Sequence, residues 1–398
     1  MTVLGARPES ARADSGRAKT SGMTRDELLR RGTAVGALLT FPALFTACGG
    51  GGDSGAADDE LKTVLNFSNW PFYMDTEGKK HPTLDQFTAA TGIKVNYFED
   101  VNSNDEYFAK VQGPLSQGNG IDRDILVATD NSRFPTLYVS QGWVQELDKE
   151  LIPNFSNLID AQASPPFDPE RTYSMPWLSG MTGIAWNEDL TGPVTTVSQL
   201  LEDPKLKGKV TMLSEMGDSV GIVLAEAGDD PSNVTDDSFD RAIQKVQAAV
   251  DSGQIRRFTG NDYAQPLANG DLAACVAWSG DVASLVADNP KLKWAVPEKG
   301  GIIWTDNMLI PTGGSVATAS TYMNFVYDPR IAAQIAVGTG YISSVKGVKD
   351  EAVKLDPDAA SNVLIFPDDA LLAQLSQNDP KMLGNEDYIT KWQAVLGQ

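Results

Sequence analysis

The chain has 398 residues, 41% of them hydrophobic, with 53 Asp and Glu against 32 Lys and Arg and a single histidine. That length suits two domains and a sizeable core, and the net charge of −21 excludes nucleic acid as a natural partner. With only His81, in the loop-like Lys79-Lys80-His81-Pro82, neither a histidine-based triad nor a transition-metal centre is expected, and no cofactor is called for.

The first 47 residues read as an export signal. Arg30-Arg31 precede an apolar stretch, Gly32 to Phe45, that is too short to span a bilayer. The stretch ends in Leu44-Phe45-Thr46-Ala47-Cys48, followed by four glycines. This looks like a bacterial lipoprotein signal of the twin-arginine type, in which Cys48 becomes the lipidated first residue. Met23 is an alternative start, since residues 1–22 resemble no part of such a signal. Residues 48–60 are Gly-, Ser- and Asp-rich and read as a flexible tether. Residues 1–47 hold 7 of the basic and 4 of the acidic residues, so the remainder carries 25 against 49, a net −24. Such a surface would draw in a cationic ligand, or serve solubility alone. The other cysteine, Cys275, sits in an apolar run and is expected in the core.

Order is expected to begin near Leu61. A short strand, Thr63 to Ser68, runs into Asn69-Trp70-Pro71-Phe72-Tyr73. A helix follows over Leu84 to Thr91 with Gly92 as its C-cap, then a strand over Ile93 to Phe98 and a helix over Asp105 to Leu115. The apolar run Ile125 to Thr129 has the look of a buried parallel strand. Alternation of this kind indicates an α/β domain.

Tyr173 to Gly180 reads as a crossing segment, punctuated by Pro176 and Gly180. Gly183 to Asn187 starts a second series. It includes strands over Lys209 to Leu213, Leu272 to Trp278 and Lys293 to Pro297. Its helices are expected over Ser219 to Ala227, Asp237 to Ser252, Ala264 to Asn269 and Asp281 to Ala287. The last hundred residues are mainly helical, with helices near Ala317 to Tyr327 and Pro329 to Gly338.

One stretch carries chemistry of its own. In Gly300-Gly301-Ile302-Ile303-Trp304-Thr305-Asp306, a strand follows two glycines. Strand alternation puts Trp304 and Asp306 on one face, an aromatic wall beside a carboxylate. That pairing suits an organic cation; a buried Trp with a turn-starting Asp is the bland alternative.

Several segments in order resemble the polyamine-binding proteins that deliver spermidine or putrescine to ABC importers. They are Asn69-Trp70-Pro71-Phe72-Tyr73, Leu84 to Val95, Pro166-Phe167-Asp168-Pro169 with Tyr173-Ser174-Met175-Pro176, Ala277-Trp278-Ser279-Gly280, Gly300 to Asp306, and Ile335 to Tyr341. The resemblance implies a two-lobed α/β clamp of the type II periplasmic-binding-protein kind, each lobe a mostly parallel sheet flanked by helices. Residues 61–180 with 305–349 would form one lobe, and 181–304 with 350–398 the other. The crossings would fall near Gly180 and Thr305, with a ligand cleft at the hinge.

Carried over by resemblance, Trp70 and Tyr73 match first-loop aromatics, and Thr129 matches a small hydroxyl residue, with Asn131 beside it. Glu215 and Asp218 match an acidic pair, Trp278 an aromatic wall, Trp304 and Asp306 the hinge pair, and Gln377 a C-terminal polar contact. Thr129 and Asn131 also read as turn residues, Asp218 as a helix cap in a box with Ser214, and Trp278 as core at the end of a buried strand. Phe72 stands where the family carries an acid. The partners implied are a polyamine or related cation, an ABC permease, and the membrane through the lipid. The competing class is a carboxylate-pair hydrolase, but the sequence shows no nucleophile motif and no metal-ligand cluster.

Overall fold

The structure is a computed structural model that describes residues 61–398 and the two-residue strand Val3–Leu4. The twin arginines, the apolar stretch, Cys48 and the tether lie outside the described residues. Among the described residues, no helix is long and apolar enough to cross a membrane.

The chain opens with β1 (Val64–Asn69), α1 (Pro82–Thr91) and β2 (Lys94–Glu99). The two strands pair in parallel, as the crossover helix between them requires. Pro82 starts α1, where its missing N–H costs nothing, and Gly92 ends it at φ 77°, a conformation a Cβ disfavours. Next come α2 (Asn104–Ser116) and β3 (Leu126–Thr129). Ser103 caps α2 by accepting the N–H of Glu106.

Then comes the longest strand, β4 (Ser174–Asn187), followed by β5 (Val210–Leu213), α3 (Met216–Ala227), α4 (Asp236–Asp251) and β6 (Ile255–Thr259). After these lie β7 (Ala274–Trp278), α5 (Ser279–Asp288), β8 (Leu292–Ala295) and β9 (Gly301–Pro311). The chain finishes in helices, among them α6 (Val316–Val326), α7 (Pro329–Thr339) and α8 (Glu386–Leu396).

Two long strands join the main sheet, and β1 with β2 forms a second, two-stranded sheet. The first half of β4 pairs with β9, from Ser174↔Leu309 to Thr182↔Ile302, and its second half pairs with β7 and β8, all antiparallel. On one side β5 lies between β7 and β6, parallel to both. On the other, β3 runs antiparallel to β9, with Asp306 opposite Thr129. The expected parallel strand at Ile125 to Thr129 is corrected accordingly: only Ile125 makes a parallel bridge, to Phe67. A continuous apolar run reports burial on both faces, which both strand directions allow.

From Ser174 onward the expected crossing segment is part of β4, all fourteen residues of which are buried. Pro176 and Gly180 are tolerated in it for different reasons. Pro176 lies beside the irregular register between Thr305 and Asn307. Gly180 makes room, since a Cβ there would stand 2.6 Å from the Trp304 ring. The start of β4 is fixed by Asp168, whose carboxylate accepts the N–H groups of Thr172, Tyr173 and Ser174 at 2.9 Å each. Buried Arg171 completes this anchor, donating to Ser174 Oγ at 2.9 Å and to Asn307 Oδ1 on β9 at 2.6 Å.

The first half of the core centres on Phe67, fully buried against Tyr97, Trp177 and Tyr322 with ring centroids 5.2–5.7 Å apart. Burying each such side chain contributes about 1.5–3 kcal/mol. Cys275 lies in the core of the second half, as expected.

Candidate functional site

A cavity of about 330 Å³, open to solvent, is lined by the middle of β9 and by the ends of β3 and β7. Trp70, Tyr73, Thr129, Glu215, Asp218, Trp278, Trp304 and Asp306 all line it, joined by Pro71, Asn104, Asn261, Asp281 and Tyr341. Four carboxylates thus face the cavity, and none of its lining residues is Lys, Arg or His.

The aromatic rings form a continuous edge-to-face wall. Trp278 meets Trp70 at 5.5 Å and Trp304 at 6.2 Å between centroids, near perpendicular in both cases. Tyr341 continues the wall, 5.9 Å from Trp304 and 4.6 Å from Tyr73. Glycine makes this possible: a Cβ at Gly280 would collide with the Tyr341 ring, and one at Gly180 with both Trp304 and Tyr341.

The carboxylates differ in how they are used. Asp218 accepts from Thr182 Oγ1, from Asn131 Nδ2 at 3.0 Å and from Trp278 Nε1 at 3.3 Å. Thr182 in turn accepts the Trp304 indole N–H at 3.0 Å, so both tryptophans are oriented through one carboxylate. Asp281 accepts from Tyr341 Oη, Tyr263 Oη and Asn261 Nδ2, each at 2.7 Å. Glu215 accepts the backbone N–H of Asn104 at 2.7 Å. Asp306 accepts the Tyr73 hydroxyl at 2.6 Å on Oδ2, and the Thr129 side chain also favours its charged form; its Oδ1 is buried with no donor in full hydrogen-bond geometry.

Such crowding of acids shows in their acidity. Burial pushes the Asp306 carboxyl well above its usual range; the Tyr73 hydrogen bond opposes this, and Asp130 and Asp218 reinforce it. Burial likewise raises Asp218 and Asp281 to about 6, against the pull of their hydrogen-bond donors. Glu215 is raised by burial and then by Asp105. Each would return toward its ordinary value beside a positive charge.

Two of the expected residues lie off the cavity. Asn131 stands behind it, holding Asp218 and accepting from Asn378 Nδ2 at 2.6 Å. Gln377 lines a separate, larger groove that also includes Asn131 and Arg171. Its neighbour Asn378 makes the inward contact, because successive side chains alternate across an extended segment. The capping alternative for Asp218 is not realised: Glu215 is the N-cap of α3, without a side-chain cap bond. Thr129 is also a turn residue, its Oγ1 accepting the Asn131 N–H at 3.3 Å. Phe72 turns outward, 41% exposed at φ 60°, and supplies nothing to the cavity.

The match to the family model named bacterial extracellular solute-binding protein runs over residues 83–364 and takes in both long strands with Trp278, Trp304 and Tyr341 of the wall. The chain belongs to that solute-binding family. Among relatives of this solute-binding protein is the spermidine/putrescine-binding periplasmic protein of Escherichia coli K12, 28% identical over 321 residues, or 79% of this chain and 86% of the relative. The fold matches the spermidine/putrescine ABC transporter substrate-binding protein of Streptococcus pneumoniae, with a TM-score of 0.65 at 22% identity over 84% of this chain and all of the other. It matches equally an Agrobacterium binding protein solved with agropinic acid, with a TM-score of 0.68 at 18% identity over 85% of this chain and all of that one. The chain therefore has the two-domain clamp fold of periplasmic binding proteins.

Sequence reading missed Asp281, Asn261 and Asn104 as cavity residues, and placed Tyr341 only at the end of a matching segment. Asp281 reads as an ordinary first-turn acid of α5. The signal in it is its spacing, one helical turn beyond Trp278, which brings both to one end of β7.

Proposed function

We propose that this solute-binding protein captures a polyamine of the putrescine or spermidine kind and delivers it to the permease of an ABC importer. The observation that carries this reading is Asp306: a buried carboxylate with one oxygen lacking a donor in hydrogen-bond geometry, set between Tyr73 and the Trp304 wall. An ammonium group supplies the missing N–H and the missing charge together. Methylenes between ammonium groups would lie along the aromatic faces, each cation–aromatic contact contributing about 0.5–2 kcal/mol. Micromolar affinity needs about 8 kcal/mol net, within reach of a few such contacts and paired charges.

The reading as a binder, not an enzyme, is supported by how the acids are used. Asp218 and Asp281 each hold three donors and orient neighbours, which takes both out of acid–base work. The similar fold solved with agropinic acid marks the alternative, another organic cation or amino acid derivative in the same clamp. Mass spectrometry of small molecules released from the denatured, purified protein separates the two.

The clamp would close about the strands that cross between halves, near Gly180 and Thr305. The pairing of Trp304 with Gly180 and of Thr305 with Ser179 supports a hinge there, dividing 61–180 with 305–349 from 181–304 with 350–398. Twin-arginine export and lipid on Cys48 would hold the protein at the outer face of the membrane.

A further inference from the structure

Glu215 projects from the turn before α3 toward the opposite side of the cleft. Its Oε1 reaches the N–H of Asn104, the first residue of α2, at 2.7 Å. The first N–H groups of a helix have no partner within it, and a carboxylate is favoured there by the helix dipole. Ser103 already serves Glu106, so Glu215 is the side chain that satisfies Asn104. Close by, Asn261 N donates to Asn102 O at 3.2 Å, bringing the loop after β6 against the loop before α2. That approach depends on Gly260: a methyl group there would collide with Asn102, whose atoms are its three nearest neighbours.

We infer that Glu215 is a closure latch rather than a ligand anchor, capping α2 across the cleft beside a glycine contact at Gly260. This rests on the clamp reading given above. Asp306, with its unpartnered oxygen, pairs with the ligand, whereas Glu215 reports and holds the closed arrangement of the two halves. It is a positioning residue: it stabilises the state in which the Trp70–Trp278–Trp304 wall is assembled.

The latch is tested by titrating putrescine and spermidine into wild type, Glu215→Ala, Glu215→Gln and Gly260→Ala, with hydrogen exchange followed over residues 102–107 with and without amine. Glu215→Gln keeps an oxygen that accepts from Asn104, so affinity should stay within about threefold of wild type and the segment should remain protected. Glu215→Ala and Gly260→Ala should each weaken binding by about tenfold or more and expose the segment. If Glu215→Gln loses as much affinity as Glu215→Ala while both liganded proteins stay protected, the carboxylate pairs with the ligand and the latch is overturned. Wild-type affinity in Gly260→Ala overturns it equally. If the wild type binds neither amine, the polyamine reading fails, and exchange in the ligand-free proteins decides the latch: faster exchange in Glu215→Ala and Gly260→Ala supports it, unchanged exchange refutes it.

Discussion

Tyr73 donates its phenolic hydrogen to Asp306 Oδ2 at 2.6 Å, and Asp306 Oδ1 on the same carboxylate is left buried without a donor. The two residues are 233 positions apart, one in a loop after β1 and the other in the middle of β9. One oxygen is held by the protein and the other has no donor, so the carboxylate would be oriented before the proposed cation binds. Preorganisation of this kind reduces the ordering cost of binding.

Removing the hydroxyl tests the orientation separately from the charge. Tyr73→Phe should weaken amine binding by about tenfold, because the hydrogen bond lost is to a charged group. The ring and its contact with Tyr341 remain, so the melting temperature should change little. Calorimetric titration beside a thermal scan reads both.

The aromatic wall should matter less than the charge it surrounds. Trp304→Leu keeps an apolar side chain but loses the ring face and the N–H to Thr182 at 3.0 Å. We expect affinity to fall by about 2- to 30-fold, the range of one cation–aromatic contact. A loss confined to putrescine or to spermidine would locate the methylene chain against this ring.

pH should act on the empty and the filled protein in opposite directions. Asp218 and Asp281 titrate near 6 in the folded protein, above the usual Asp value of 3.8. A raised folded pKa gives stability that is present below the unfolded value and lost as pH rises through about 6. Ligand-free protein should therefore melt higher at pH 5 than at pH 7. A cation favours the ionised carboxylates, so amine affinity should instead fall as pH drops through 6, with protons released on binding. Equal affinity at pH 5 and pH 7.5 would disconnect these acids from the ligand.

The proposed anchoring turns on Cys48. Cys48→Ser should leave the protein unprocessed or release it from the membrane, since stable attachment of this kind needs acyl chains. Mature-sized protein that still fractionates with membranes would refute the lipid anchor.

Much of this arrangement was legible in the sequence, and the exceptions have physical causes. Gly92 and the run Ala264–Asn269 marked their helices because caps and periodicity are local. The pairing of Trp304 with Asp306 was legible because strand alternation is local too. β4 was divided because Pro176 and Gly180 look like punctuation, whereas Gly180 exists to admit a ring 124 residues away in sequence. β6 was passed over because Arg256 and Arg257 interrupt its apolar pattern, both being exposed along one edge of the sheet. Asp281 was missed because its three donors come from residues 18, 20 and 60 positions away. Resemblance supplied most of the cavity, and where it was weakest, at Gln377, the inward side chain is the next residue, Asn378.

The most direct measurement is calorimetric titration of putrescine, spermidine and spermine into wild type and Asp306→Asn. An unpaired, desolvated cation costs about 2–5 kcal/mol, so wild type should bind at least one of these amines and Asp306→Asn should bind it about 30-fold more weakly or worse. Unchanged affinity in Asp306→Asn would place the ligand elsewhere, and a wild type that binds none of the three amines would contradict the polyamine reading itself.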